Sequence, residues 1–233
     1  MLFIRIHCFA LATFLTFVGV MVPAFGVTGG QLAKAFEPEL RKLAEGGDAY
    51  AQAVLALSYA NGDRGLALSI AEAEKWARLS AAQQHPIGKF AMGYLAQSPI
   101  LGLDDTIPGR YYRSAFGDSS GDLVKMAISG DPIASYVVGM ILTSDYLRPK
   151  VVPDMNLAAR HHAVASRADF LPSVFQLGIM KVEGMLTEKD VEGGLDLLER
   201  DICASPPRPI HLAEGTFVNV VIGTIVLLSI IHI

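Results

Sequence analysis

Cysteine is almost missing from this chain. Only Cys8 and Cys203 occur in 233 residues, so an internal disulfide framework and a cysteine-based zinc site are excluded. Cys8 sits in an apolar N-terminal stretch, where Ile6 and His7 replace the small residues that a lipoprotein attachment site needs. Cys203 reads as a semi-buried residue near a helix end. Charge is scarce as well. Only 18% of residues are Asp, Glu, Lys or Arg, and the formal net charge is −4. No basic block or stripe appears, which argues against nucleic acid as a ligand. A Gly-rich phosphate loop, a nucleophile elbow and a zinc-protease motif are missing too.

The shortage of charge is concentrated at the two ends, while 52% of the whole chain is hydrophobic. After Arg5 no acidic or basic residue comes before Lys34. The stretch HCFALATFLTFVGVMVPAF has a charged start, an apolar centre and a polar exit, with Val22 and Ala24 at minus three and minus one of a cut after Ala24. Residues 1–26 are therefore expected to be a signal peptide. An uncleaved signal anchor over Cys8 to Val27 is the alternative, and the following domain is exported in either case. Residues 216–233 (TFVNVVIGTIVLLSIIHI) contain no Asp, Glu, Lys or Arg. They give about 27 Å of helix, close to the roughly 30 Å hydrocarbon core, and read as a transmembrane helix after a linker at 205–215. No Lys or Arg follows this segment, so two other readings stay open. One is a removable signal for a glycolipid anchor, against which Pro206 and Pro207 argue. The other is a truncated sequence.

What the chain does have is an internal repeat over residues 37–204. Origins at Gly47, Gln84, Gly130 and Asp169 stand 37, 46 and 39 residues apart. Four residues after each come Ala51, Gly88, Ala134 and Ser173; eight after come Leu55, Met92, Val138 and Leu177; nine after come Ala56, Gly93, Gly139 and Gly178. Positions plus four and plus eight share a helix face. A small residue at plus four admits a second helix, and a small residue at plus nine implies close backbone contact. Asp48, Pro86, Asp131 with Pro132, and Pro172 mark helix starts, while Gly62 and Gly184 mark helix ends. A second helix follows, opened by Ser69 and Glu72 in the first unit and by Thr187 and Asp190 in the last. Ala73, Trp76, Ser80 and Ala81 match Ala158, His161, Ala165 and Ser166 in distance to the next origin. Each unit is thus helix, turn, helix, and only stacked units bury a core. The units run near 47–83, 84–129, 130–168 and 169–204. The second diverges, with a Gly-, Pro- and polar-rich stretch at 98–121 that marks an insertion or a rebuilt second helix.

Ala51, Leu55, Ala56, Tyr59, Gly62, Ala73, Trp76, Ser80 and Ala81 together resemble the Sel-one-like repeat, a relative of the tetratricopeptide repeat. The later units depart from that pattern, with Leu142 and Lys181 at the Tyr position and His161 at the Trp position. The resemblance implies an all-α, right-handed α/α superhelical solenoid of about seven helices. It also implies a non-catalytic adaptor whose concave face, lined by first helices, holds a protein or peptide ligand. The family's cysteine-rich branch staples each repeat with a disulfide, and this chain lacks those cysteines.

The side chains offer few chemical candidates. Gly117-Asp118-Ser119-Ser120-Gly121 resembles a serine-protease nucleophile loop but is one residue off in a helical array, so it reads as a turn. His161 and His162 point about 100° apart on a helix and cannot chelate together. His161 is expected at the core edge and His162 in solvent. Asp104 and Asp105 read as a solvated loop. Neither a metal nor a cofactor is expected. Tyr111, Tyr112 and Arg113 are the candidate partner-binding residues, because aromatics with Arg are enriched at binding hot spots. The expectation is an exported, membrane-associated interaction scaffold with its repeats outside the cytosol. A cell-envelope enzyme or regulator with a site in 98–121, or a structural subunit of a membrane complex, are the alternatives.

Overall fold

The computed structural model describes residues 27–97, 106–118, 120–145, 147, 151–186 and 189–204. The expected signal segment 1–26, the linker 205–215 and the apolar tail 216–233 lie outside the described residues. Among the described residues no helix is long and apolar enough to cross a membrane. Every regular element there is helical. In chain order these are α1 (Gly29–Lys34), α2 (Glu37–Glu45), α3 (Ala49–Asn61), α4 (Ile70–Ala82), α5 (Pro86–Ala96), α6 (Thr106–Arg113), a π-helical turn (Ser114–Asp118), α7 (Ser120–Ile128), α8 (Pro132–Leu142), α9 (Met155–Arg167), α10 (Leu171–Glu183) and α11 (Val191–Ala204).

The four origins share one backbone conformation. Gly47, Gln84, Gly130 and Asp169 have φ of 93°, 62°, 87° and 59°. Each left-handed residue ends the preceding helix, as a C-terminal Gly does. One hydrogen bond then recurs across all four corners. The amides of Asp48, His85, Asp131 and Phe170 donate to the carbonyls of Leu43, Ser80, Met126 and Ala165 at 3.2, 3.3, 3.0 and 3.1 Å. Those four donors are also the N-cap residues of α3, α5, α8 and α10. The chain therefore reverses from a second helix to the next first helix in two residues. Asp48 and Asp131 strengthen the start by accepting amide hydrogen bonds within α3 and α8. At the other end of the first helices, Gly62 (φ 65°) and Gly184 (φ 70°) close α3 and α10, as their spacing predicts.

Helix layers follow from the same register. Ten of the thirteen residues of α3 are buried, as are ten of eleven in both α5 and α8, whereas α4 buries only Ala73, Trp76, Ala77 and Ser80. First helices form the inner layer and second helices the half-solvated outer one. The small residue at plus four faces the second helix of the preceding unit. A Cβ on Gly88 would collide with Ser80 and the Ala81 amide, and Ser173 Oγ lies 3.2 Å from Nδ1 of His162 on α9. The small residue at plus nine faces the unit's own second helix. A Cβ there would lie 2.8 Å from the Tyr112 ring at Gly93, 2.7 Å from the His162 ring at Gly139 and 2.9 Å from Leu198 at Gly178. Helix α2, with Leu40 and Ala44 buried and its remaining faces in solvent, precedes α3 as a second helix would and ends the array.

Seven helices (α3, α4, α5, α8, α9, α10, α11) are those the spacing predicts, and four more accompany them. In the divergent unit the second helix is rebuilt as α6, the π turn and α7. Before the first origin come α2 and α1, and α1 packs on α8 and α3 rather than on its sequence neighbour α2. The apolar core extends to Leu32 and Ala33 of α1 and to Ala35 just after it.

Candidate functional site

The face lined by first helices is not an open groove. Contacts across the array bring its first unit to the third and fourth. Tyr50 on α3 donates from its hydroxyl to Asp131, the N-cap of α8, at 2.5 Å. Burial, and then the nearby Asp131 carboxylate, push the Tyr50 pKa well above its ordinary value, so the phenol remains the donor. An aromatic chain fills the interior. Phe90 lies 5.3 Å from Tyr112 and 6.1 Å edge-on from Tyr136, whose ring is 5.2 Å from that of Phe170.

Arg64 closes this interior at one end. It lies in the sequence Gly62-Asp63-Arg64-Gly65, where residues 62, 64 and 65 all have positive φ. For Arg64, with φ 56°, this is a strained conformation that glycine would adopt at no cost. The strain aims a charged side chain inward. The guanidinium carbon lies 5.6 Å from the centre of the Phe170 ring, and Nη1 donates to the carbonyls of Leu32 (3.0 Å) and Ala35 (2.8 Å). Burial lowers the Arg64 pKa, and Asp63, with its carboxylate 3.6 Å away, opposes that shift. The surface beneath α1 thus runs from Arg64 to Asp131, against whose carboxylate the backbone of Gly29 is seated. A cleft beside it is lined by Lys34, Pro132, Val164 and Arg167.

The predicted cluster Tyr111, Tyr112 and Arg113 lies at the end of α6 and is divided by the helix. Tyr112 is buried, packed on Gly93 and Phe90, and its hydroxyl accepts from Gln97 Nε2 at 2.6 Å. Tyr111 is half-buried beside Gly93, and Arg113 is exposed. Any contact with a partner here falls to Tyr111 and Arg113. In the GDSSG stretch, Ser119 lies outside the described residues, as do Asp104 and Asp105. Among the described residues no three His, Cys, Asp or Glu side chains gather as metal ligands would. Cys203, read as semi-buried, is exposed on α11.

Of the two adjacent histidines, one departs from expectation. His162, expected in solvent, is fully buried, and His161 is half-buried. The reason lies in the register, because His162 stands where Ala77 stands in α4 and faces the plus-nine position of its own unit. Gly139 there makes room for the ring, whereas Ala56 faces a unit that carries Ala77. Burial pushes the His162 pKa down to about 4 and that of His85 also to about 4. Sequence reasoning missed Arg64 and α1 altogether. The one available signal was a charged pair between two glycines, which reads equally well as a solvated turn.

No family model matches the chain, and no curated protein matches it. Among solved structures, a Sel1 repeat protein from Oxalobacter formigenes is similar at 25% identity over 70% of this chain and 60% of that one, with a TM-score of 0.34. A protective antigen of uropathogenic Escherichia coli with an SLR fold is similar at 21% identity over 70% of this chain, with a TM-score of 0.31. The chain spans 60% and 39% of the lengths of these two proteins. A left-handed corner at every origin, a small plus-four residue against the preceding second helix and a small plus-nine residue against the unit's own make the described residues an array of helix-turn-helix repeats, the architecture that the resemblance to Sel1-like repeats implies.

Proposed function

We propose that this protein is a non-catalytic protein-binding scaffold, exported and held at a membrane. The observation that carries the reading is the pair of hydrogen bonds from Arg64 to the carbonyls of Leu32 and Ala35. Backbone carbonyls are present in any polypeptide, so the array already holds a short peptide segment by contacts that do not depend on side-chain chemistry. Tyr111 and Arg113 on the rebuilt unit supply a second contact surface of the kind enriched at interfaces. Export and the membrane tether rest on the apolar stretch that follows Arg5 within 1–26 and on the uncharged stretch 216–233. The test is photo-crosslinking of the full chain in its own membrane fraction, with p-benzoylphenylalanine placed at Lys34, at Arg113 or, as control, at the exposed Lys42. A discrete protein adduct at Lys34 or Arg113 and none at Lys42 is expected. Adducts at neither position above the control overturn the scaffold reading.

A further inference from the structure

Helix α1 is an unusual occupant of the array's interior. It belongs to no repeat unit, and it spans the first helices of units one and three. Its sequence, GGQLAK, starts with two glycines, which lose the most conformational freedom on ordering and so disfavour a helix. Only Leu32 brings a large apolar side chain, with Ala33 and the following Ala35 as small buried neighbours. The helix stabilises itself through a self-contained capping box. Thr28 accepts from the Gln31 amide, and the Gln31 side chain accepts from the Thr28 amide at 3.0 Å, both in solvent. The surface beneath is more firmly built. Asp131 is tied to α8 and to Tyr50, and Arg64 is held by its backbone conformation and the Phe170 ring. A weak segment therefore covers a rigid surface.

We infer that residues 28–35 are a removable strap, and that the surface they cover binds a partner segment of the same chemistry. That segment is one helical turn with a single aliphatic side chain flanked by small residues, its last carbonyls free to accept from Arg64. The inference deepens the scaffold reading and rests on it for the partner being another protein. It accounts for why a charged, strained residue is buried here: Arg64 reads peptide backbone, so one segment can replace another. The apparent affinity for the partner is then reduced by the fraction of time the strap is closed.

The probe is a fluorescein-labelled peptide of residues 27–36, titrated by anisotropy into the full chain. Leu32→Asp opens the strap without altering the surface below it. The peptide is expected to bind Leu32→Asp saturably and to bind the unmodified chain at least about tenfold more weakly, since the tethered copy competes. A peptide that itself carries Leu32→Asp is expected not to bind. Should Leu32→Asp unfold the chain, Thr28→Ala with Gln31→Ala weakens the strap at exposed positions and serves in its place. Hydrogen exchange in residues 29–35 of the unmodified chain is expected to be at least about tenfold faster than in α8. Peptide binding that is equal in both chains or absent from the opened one, or exchange in 29–35 as slow as in α8, overturns the strap. Peptide binding to the opened chain without any crosslinked protein in membranes leaves the strap standing and removes the scaffold reading.

Discussion

At the residue scale, the repeat is held by pairs in which one partner is small because the other is large. Gly139 and His162 are the sharpest case, since a methyl group on Gly139 would lie 2.7 Å from Nε2 of a ring that cannot move into solvent. Gly139→Ala is expected to destabilise the array by about 1–3 kcal/mol in urea unfolding, the usual cost of overfilling a core. Combining it with His162→Ala recreates the Ala56 and Ala77 arrangement of the first unit, and the double variant is expected to be less destabilised than the sum of the single ones. Additive losses would show that the two residues do not share space. The small member of each pair was legible in the sequence because Gly or Ala recurs at fixed spacing. The large member was not, because Tyr112, His162 and Leu198 have nothing in common but bulk. The same holds for Arg64, whose burial depends on a residue more than a hundred positions away.

The elements show which parts of the fold local chemistry dictates. Helix starts at Asp48, Ser69 and Asp131 follow from side chains that accept amide hydrogen bonds, and they could be read directly. The corners were half legible. Gly47 and Gly130 announce a left-handed residue, but Gln84 and Asp169 occupy the same conformation with a Cβ. A non-glycine residue there costs about 1–2 kcal/mol, offset in part by the greater freedom glycine has in the unfolded chain. Gln84→Gly is therefore expected to stabilise the protein by about 0.5–1 kcal/mol, read as a higher urea midpoint at unchanged slope. An unchanged or lower midpoint would show that the Gln84 side chain makes a compensating contact. Helix α1 was illegible for the opposite reason. Its two glycines, with Ala33 and the following Ala35, form no periodic pattern, and its helical form rests on contact with α8 and α3 together with the Thr28–Gln31 capping box.

At the scale of the whole molecule, successive units stack on one another, and contacts from unit one to units three and four join them in one interior. Two neutral histidines lie in it, the half-buried His85 at the start of α5 and the fully buried His162 on α9. Their folded pKa values, both about 4, lie below the ordinary value of 6.5. Between those limits the unfolded chain binds protons that the native protein does not. Stability is complete above pH 6.5 and falls as pH drops toward 4, with a slope of up to about 1.4 kcal/mol per pH unit for each histidine. The urea midpoint is expected to be flat between about pH 7 and 8 and to fall from about pH 6.5 toward about 4, the window that the unfolded and folded pKa values define. His162→Gln is expected to reduce the fall. The Asp190 carboxylate, held down by Lys181 and the Gly193 amide, does not contribute to that fall. A midpoint that is level down to pH 5 would mean that the two rings accept protons without unfolding.

The two small positions of each first helix have a consequence for how such a chain can change length. Plus four is fitted to the unit before and plus nine to the unit itself, so no cut point yields a block that carries both of its fits intact. Copying unit one behind itself would seat Ala51 where a helix like α4 expects the bare backbone of Gly88. Growth by duplication therefore requires matched changes on both sides of the new junction. Four units that are each fitted to a different neighbour set the rule for anyone who would graft a fifth.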